Sequence, residues 1–299
     1  MKTLTIYHYD AFTREPNKGN PAGIILNGND FTEDEMQTIA FKVGFNEVAF
    51  LLKSDTADLK IRYFSPKREM DLCGHATISA LYALKTRGLL DKKELVTIET
   101  KAGILSVSLN SSGTDTLVTM SQATPRFKPF KGSLKTLTHT MGIKESDIDH
   151  TLPILYGSTG TWTLLVPING LGAFKKMKPV NKDFPALLSD YPDASVHPFC
   201  LETVHSSSDM HGRHFSSPGT GSVEDSVTGT ASGVMGAYYA QFISENFENT
   251  KRIIVEQGQE MGKDGRVYVG VSKNNEHIAV SISGHAVYVK SFEVTVDKN

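Results

Sequence analysis

Short segments in which polar and apolar residues alternate, or in which β-branched and aromatic residues crowd together, recur along the whole chain. Thr3 to Tyr9, Ala22 to Leu26, Val48 to Leu52, Lys60 to Phe64, Leu95 to Glu99 and Ile104 to Leu109 are of this kind, each bounded by turn residues, and predict strands. The second half repeats the style at Thr161 to Val166, His197 to Val204, Arg252 to Glu256, Gly265 to Val271, Ile278 to Ile282 and Val287 to Val296. Helical segments are fewer. Thr32 to Val43 opens with a capping-box pattern, Thr32 followed by Glu35, and Lys182 to Leu188 predicts a short surface helix.

Two further segments carry no Asp, Glu, Lys or Arg at all: Leu72 to Leu84, ending near Gly88 as a C-terminal cap, and Ser226 to Ser244. A surface helix shows a charged stripe opposite its apolar one; a helix without one is buried on all sides. Their many small residues (Gly74, Ala76, Ser79 and Ala80; Gly229, Ala231, Gly233, Gly236 and Ala240) let strands approach closely. The pattern predicts a helix enclosed by a curved sheet, made twice.

The two helices also resemble one another in their flanks. Arg62-Tyr63-Phe64-Ser65 precedes the first and Arg213-His214-Phe215-Ser216 the second, Gly74-His75-Ala76-Thr77 matches Gly229-Thr230-Ala231-Ser232, and a strand, turn and strand follow each. The second copy is longer by the loop Gly219 to Glu224. Three matches in one order argue for duplication of a whole domain, and two similar lobes imply a cleft between them.

Composition narrows the functions. The 299 residues suggest about two domains. With 31 Lys+Arg against 33 Asp+Glu, a net charge of −2 gives no electrostatic reason to expect nucleic acid or an anionic membrane as partner. Two cysteines, Cys73 and Cys200, make neither a disulfide framework nor a four-thiolate zinc site. The N-terminus alternates and reaches Asp10 at once, so it reads as a strand and not a signal peptide. No apolar run approaches the roughly 20 residues of a membrane span. The expectation is a soluble, cytoplasmic protein.

Several kinds of chemistry are absent from the sequence. There is no Gly-x-x-x-x-Gly-Lys-Ser/Thr phosphate loop, no Gly-x-Gly-x-x-Gly, and no Gly-x-Ser-x-Gly elbow. His205, His211 and His214 cluster only loosely and lack a fourth ligand for a metal. What stands out is a glycine at the start of each buried helix, Gly74 and Gly229. Such starts present unpaired N–H groups and the positive end of the helix dipole, and two of them across a cleft would hold a carboxylate or a developing enolate; alternatively, the glycines only make tight turns. Glu47, in Asn46-Glu47-Val48-Ala49-Phe50, is a carboxylate among apolar residues, where a raised pKa suits a general acid/base, or else it pairs with a strand-borne Arg or Lys. His75 is either a proton relay or a satisfied core histidine. Asp225 is a second carboxylate or the N-cap of the second helix, and Thr230 a hydroxyl donor or another capping residue.

Taken together, the motifs resemble the phenazine-biosynthesis PhzF family. They are Asp10-Ala11-Phe12-Thr13, Gly19-Asn20-Pro21-Ala22-Gly23, Asn46-Glu47-Val48-Ala49-Phe50, Arg62-Tyr63-Phe64-Ser65-Pro66, Asp71-Leu72-Cys73-Gly74-His75-Ala76-Thr77, the run from Gly221 to Ala231, and Glu256-Gln257-Gly258. The resemblance implies an α+β fold like that of diaminopimelate epimerase, two lobes each with a β-barrel-like sheet around a central helix, and an active site between them. The lobes would comprise residues 1–117, joined by a last strand over about 286–299, and residues 118–285. It further implies a homodimer without metal or organic cofactor, acting on a small carboxylate-bearing metabolite. Glu47 would move the proton as general acid/base. His75, Asp225 and Thr230 would orient the substrate and help move protons, and Asn20, Gly74 and Gly229 would bind it.

The relatives that racemise with two thiols place one before each helix. Here Cys73 fills the first such position and Thr228 the second, which argues against two-thiol chemistry. Thr230 stands where the isomerases usually have Ser, Ser226 replaces a common Pro, and Gly262-Lys263-Asp264-Gly265-Arg266 departs from the usual Gly-Arg-Pro-Ser, which bears on the shape of the cleft. The leading expectation is an isomerase that shifts a hydrogen within its substrate. The competing ones are a non-catalytic small-molecule binding protein of the same fold, and a lyase or dehydratase acting through the same carbanion.

Overall fold

In the computed structural model, the first residues of β1 (Lys2–Ala11) alternate as the sequence pattern requires, Leu4 and Ile6 buried while Thr3 and Thr5 face out, and from His8 to Ala11 the strand is buried on both faces. The structure describes residues 1–90, 93–113, 115–220, 222–245, 247, 250–274 and 277–296, without the side chains of 274 and 277. Gly221, first residue of the motif running to Ala231, lies outside the described residues, as do the last three positions of the terminal strand expected over 286–299. The chain divides into two compact units, Met1–Ser121 with Ser283–Asn299, and Gln122–Ile282.

In the first unit β1 pairs antiparallel with β2 (Asn20–Ile25) and with the C-terminal strand Ala286–Val296. Helix α1 (Glu33–Val43) carries the chain back so that β3 (Glu47–Leu52) runs parallel to β2, with Ala22 opposite Glu47. The capping box is formed: Thr32 Oγ1 accepts from the Glu35 amide at 3.3 Å, and Glu35 Oε2 accepts from the Thr32 amide at 2.9 Å. Met36, Ile39 and Ala40 of α1 pack on Leu4, Ile6, Val48, Phe50 and Phe64. Next come β4 (Leu59–Phe64), the short β5 (Glu69–Met70), the helix α2 (Gly74–Thr86), uncharged up to Lys85 in its last turn, and the meander β6 (Leu95–Thr100), β7 (Gly103–Ser112) and β8 (Asp115–Ser121). Helix α2 packs against β1, β2, β3, β8 and the C-terminal strand, which explains why it bears no charge before Lys85. It ends at Thr86 with Arg87 as C-cap, and the next residue, Gly88, has a φ of +73° that favours glycine.

The second unit repeats the plan. It contains β9 (Arg126–Pro129), α3 (Leu134–Met141), β10 (Leu155–Ser158), β11 (Trp162–Pro167) and β12 (Ser195–Cys200), with β11 and β12 parallel as β2 and β3 are. Then follow β13 (Met210–Gly212), β14 (His214–Phe215), β15 (Glu224–Asp225), α4 (Gly229–Tyr238), β16 (Thr250–Gln257), β17 (Gly265–Asn274) and β18 (His277–Gly284). The glycines of α4 serve packing: a Cβ on Gly236 would stand 2.5 Å from Val269 Cγ1 on β17. One-turn helices occupy Leu171–Phe174 and Phe184–Leu187, the latter within the segment expected to be helical.

Two differences from the sequence expectation have physical causes. The strand expected over His197 to Val204 stops at Cys200: Leu201 and Val204 are apolar but exposed, and Glu202 turns away to accept the Leu171 amide at 2.8 Å. Helix α3 carries an apolar stripe of Leu134, Leu137 and Met141, but three of its eight residues are threonines, which weaken the helical signal in the sequence; Ser133 caps it and Gly142, at φ +72°, ends it. No helix among the described residues is long and apolar enough to cross a membrane.

Candidate active site

In the first unit the parallel register of β2 and β3 puts Glu47 at the first position of β3, and α2 starts one residue after Cys73. Cys73 is extended, at φ −138° and ψ 115°, and its side chain makes no capping hydrogen bond, so the α2 amides from Gly74 onward present the donors of a helix start. Thr77 closes the first turn on the Cys73 carbonyl, through its amide at 3.0 Å and its hydroxyl at 2.7 Å. Beneath it the buried Tyr63 hydroxyl shares a 2.6 Å hydrogen bond with Thr77 Oγ1.

This geometry brings His75 against Glu47, Nε2 to Oε2 at 3.2 Å, with the side chains 8% and 19% exposed. The partner of Glu47 is thus an imidazole and not a strand-borne Arg or Lys. Cys73 Sγ lies 3.4 Å from His75 Nδ1. Burial alone would lower the His75 pKa, but the Cys73 sulfur and the Glu47 carboxylate more than offset it and hold it well above the ordinary value. Burial pushes the Cys73 thiol up. Asn20 is buried at the first position of β2, opposite Ala11.

In the second unit α4 starts at Gly229, and its N-cap is Thr228 rather than Asp225. Thr228 Oγ1 donates instead to Asp225 Oδ2 at 2.5 Å. Gln257 ties the arrangement: its Nε2 donates to the Asp225 carbonyl at 2.7 Å, and its Oε1 accepts the Thr228 amide at 3.1 Å. Thr230 is the second residue of the helix and not its cap; its carbonyl accepts from Thr159 Oγ1 at 3.1 Å. The hydroxyl that replaces a second thiol is therefore engaged with a carboxylate.

The duplication extends to contacts that the sequence did not disclose. Arg62 binds Glu69 through two bonds of 2.6 and 2.9 Å, and Arg213 binds Glu224 through two of 2.8 and 2.7 Å. Asp58 accepts the Thr97 amide at 2.9 Å and Asp209 the Ile254 amide at 2.7 Å. Val48 lies opposite Phe64, and Val196 opposite Phe215, so Glu47 corresponds to Ser195. Ser195 donates to Thr163 Oγ1 at 2.7 Å. The frame is duplicated, but Glu47 has no carboxylate at its matching position, where Ser195 stands; the carboxylate at the α4 start, Asp225, comes from a different strand. The three loosely clustered histidines go to separate partners: His205 to Asp264, His211 to Glu256 and Glu260, and His214 to His197.

Comparison with known proteins matches residues 9–291 to the PhzC-PhzF family, described as phenazine biosynthesis-like protein. The chain is 52% identical to a protein of Bacillus subtilis (strain 168) named "uncharacterized isomerase YfhB", over 96% of this chain and 97% of that one. It is 28% identical to the trans-2,3-dihydro-3-hydroxyanthranilate isomerase of Pseudomonas aeruginosa, over 92% of this chain and 94% of that one. Among solved structures, the phenazine biosynthesis protein of the PhzF family from Bacillus anthracis superposes with a TM-score of 0.97 at 54% identity, covering 99% of this chain and all of that one. The fold expected from the sequence is the fold found, and the chain belongs to the PhzC-PhzF, phenazine biosynthesis-like, family.

Proposed function

We propose that this isomerase moves a proton within a small carboxylate-bearing metabolite, with Glu47 as the general acid/base and no cofactor taking part. The observation that carries the reading is the 3.2 Å contact between Glu47 and His75 at the start of α2. A carbon-bound proton next to a carboxylate, or in conjugation with one, leaves behind an enolate-like charge. The first amides of α2, beginning with Gly74, offer that charge unpaired N–H donors and a positive dipole end. Glu47 takes the proton at one carbon and returns it at another, and His75 holds the carboxylate in place and donates toward it. Asn20 joins Gly74 in binding the substrate. The roles the family resemblance gives to Asp225, Thr230 and Gly229 belong to the α4 start, and Asp225→Asn tests them apart from Glu47.

The substrate class follows from the same chemistry and from the name of the P. aeruginosa relative, whose dihydroanthranilate is a ring carboxylate that isomerises. Incubating the protein with such carboxylates in heavy water tests the reading. Glu47 is 19% exposed and trades the acquired proton with solvent before returning it, so the expected product is an isomer of the substrate that carries solvent deuterium. Product lighter by one water would instead show elimination, and tight binding without any exchange would show a binding protein.

A further inference from the structure

The Cys73 thiol takes no part in the proton transfer proposed for Glu47, yet it is buried beside the two groups that do. Its Sγ is 3.4 Å from His75 Nδ1 and 3.9 Å from Nε2, while Glu47 Oε2 is 3.2 Å from the same Nε2. One ligand atom from each of the three residues lies within 4.8 Å of the others. The geometry points to Cys73, His75 and Glu47 as a binding site for a thiophilic divalent cation such as zinc, which on binding takes the Glu47 carboxylate out of use.

Tetrahedral zinc, with bonds of about 2.3 Å to sulfur and about 2.0–2.2 Å to nitrogen and oxygen, sets its ligand atoms roughly 3.3–3.6 Å apart. The two separations measured from His75 Nε2 meet that range after shifts of a few tenths of an ångström. Sulfur, nitrogen and one carboxylate oxygen form a set that suits zinc and not magnesium or calcium, which take oxygen ligands. Charge also balances: as the metal binds, the Cys73 thiol and the His75 imidazolium each lose a proton to solvent, and thiolate, neutral imidazole and carboxylate together neutralise a dication. The start of α2 favours both anions. Glu47, 19% exposed, leaves the trio open on one side for entry of the ion and a fourth ligand. Only the inhibitory consequence rests on the function proposed for Glu47.

The test uses the metal alone. Metal-stripped protein is titrated with zinc against a chromophoric chelator, and separately with cobalt. One zinc per chain and a thiolate-to-cobalt absorption band are expected, and Cys73→Ala should lose the band and weaken zinc binding by about 100-fold or more. His75→Gln should weaken it comparably, with thermal melts showing that each variant is folded. No uptake at micromolar free zinc, or no thiolate-to-cobalt band on the wild-type protein, overturns the site whether or not the variants fold. Undiminished binding in both folded variants does so too. Zinc-loaded protein should not exchange substrate protons; exchange at the metal-free rate overturns the inhibition. Failure of the Glu47 assignment is read independently, in zinc-free protein, and leaves the titration unaffected.

Discussion

Burial opposes charge on His75, yet its neighbours Cys73 and Glu47 raise its pKa, and in the second unit His211, which stands where the first unit has Lys60, is held in a similar way. His211 and Glu256 have no exposed side-chain surface, and His211 meets Glu256 at 3.0 Å and Glu260 at 3.2 Å. Burial works against the His211 cation, but the two carboxylates raise its pKa. Burial likewise works against the Glu256 anion, yet His211 and the amides of Val204 and His205 bring its pKa down to about 2. The signs fix the pH behaviour. Stability from His211 is complete below the free imidazole value of about 6.5 and is lost as pH climbs through the raised folded value. Stability from Glu256 is present above its unfolded value and is lost as pH falls toward 2. His211→Ala should therefore cost about 3 kcal/mol at pH 6 and less at pH 9, read by urea unfolding at the two pH values. An equal cost at both would contradict the charged pair. The corresponding pair in the first unit, Lys60 with Glu99, is 38% and 28% exposed, and Lys60→Ala should cost under about 1 kcal/mol.

His75 makes a second residue-level prediction. If its cation serves the proton transfer, exchange should fall as pH rises through its raised pKa, and His75→Gln should lose that alkaline limb of the profile. A limb unchanged in His75→Gln would assign it to another group. Much at this scale was legible in the sequence as residue type: Glu47 stood out among apolar neighbours and His75 at a charge-free helix start. Their contact with each other and with Cys73 was not, because it depends on the parallel register of β2 and β3. The paired Glu69 and Glu224 were hidden for another reason. They follow their arginines by different spacings, since the longer loop of the second copy lies between Phe215 and Glu224.

At the scale of elements, the absence of charge identified α2 and α4 correctly, and small residues explain how they are enclosed. Gly236 has no space for a methyl group, with Val269 Cγ1 2.5 Å and Val269 Cβ 3.1 Å from the position a Cβ would take. Gly236→Ala should destabilise by about 1–3 kcal/mol despite its better helix propensity, as measured by chemical denaturation. A stabilised variant would show that α4 is loosely held. Helix α1 was legible from its capping box. Helix α3 was not, because Ser133 and Gly142 bound a segment whose threonines weaken the helical signal.

For the whole molecule, the sequence showed a duplication through Arg62 and Arg213 and through Gly74 and Gly229. The structure adds that the copies share strand registers, bidentate Arg–Glu pairs and helix starts, but not a carboxylate: Glu47 answers to Ser195 and Cys73 to Thr228. This asymmetry is what favours one base that takes and returns the proton over two opposed groups. Solvent deuterium incorporation by Glu47→Gln, measured with a turned-over carboxylate in zinc-free heavy water, tests that claim most directly. The amide keeps the shape of the side chain but accepts no proton, so exchange should slow by roughly 10²- to 10⁴-fold with the melting temperature little changed. Exchange at the wild-type rate in the folded variant would contradict the account.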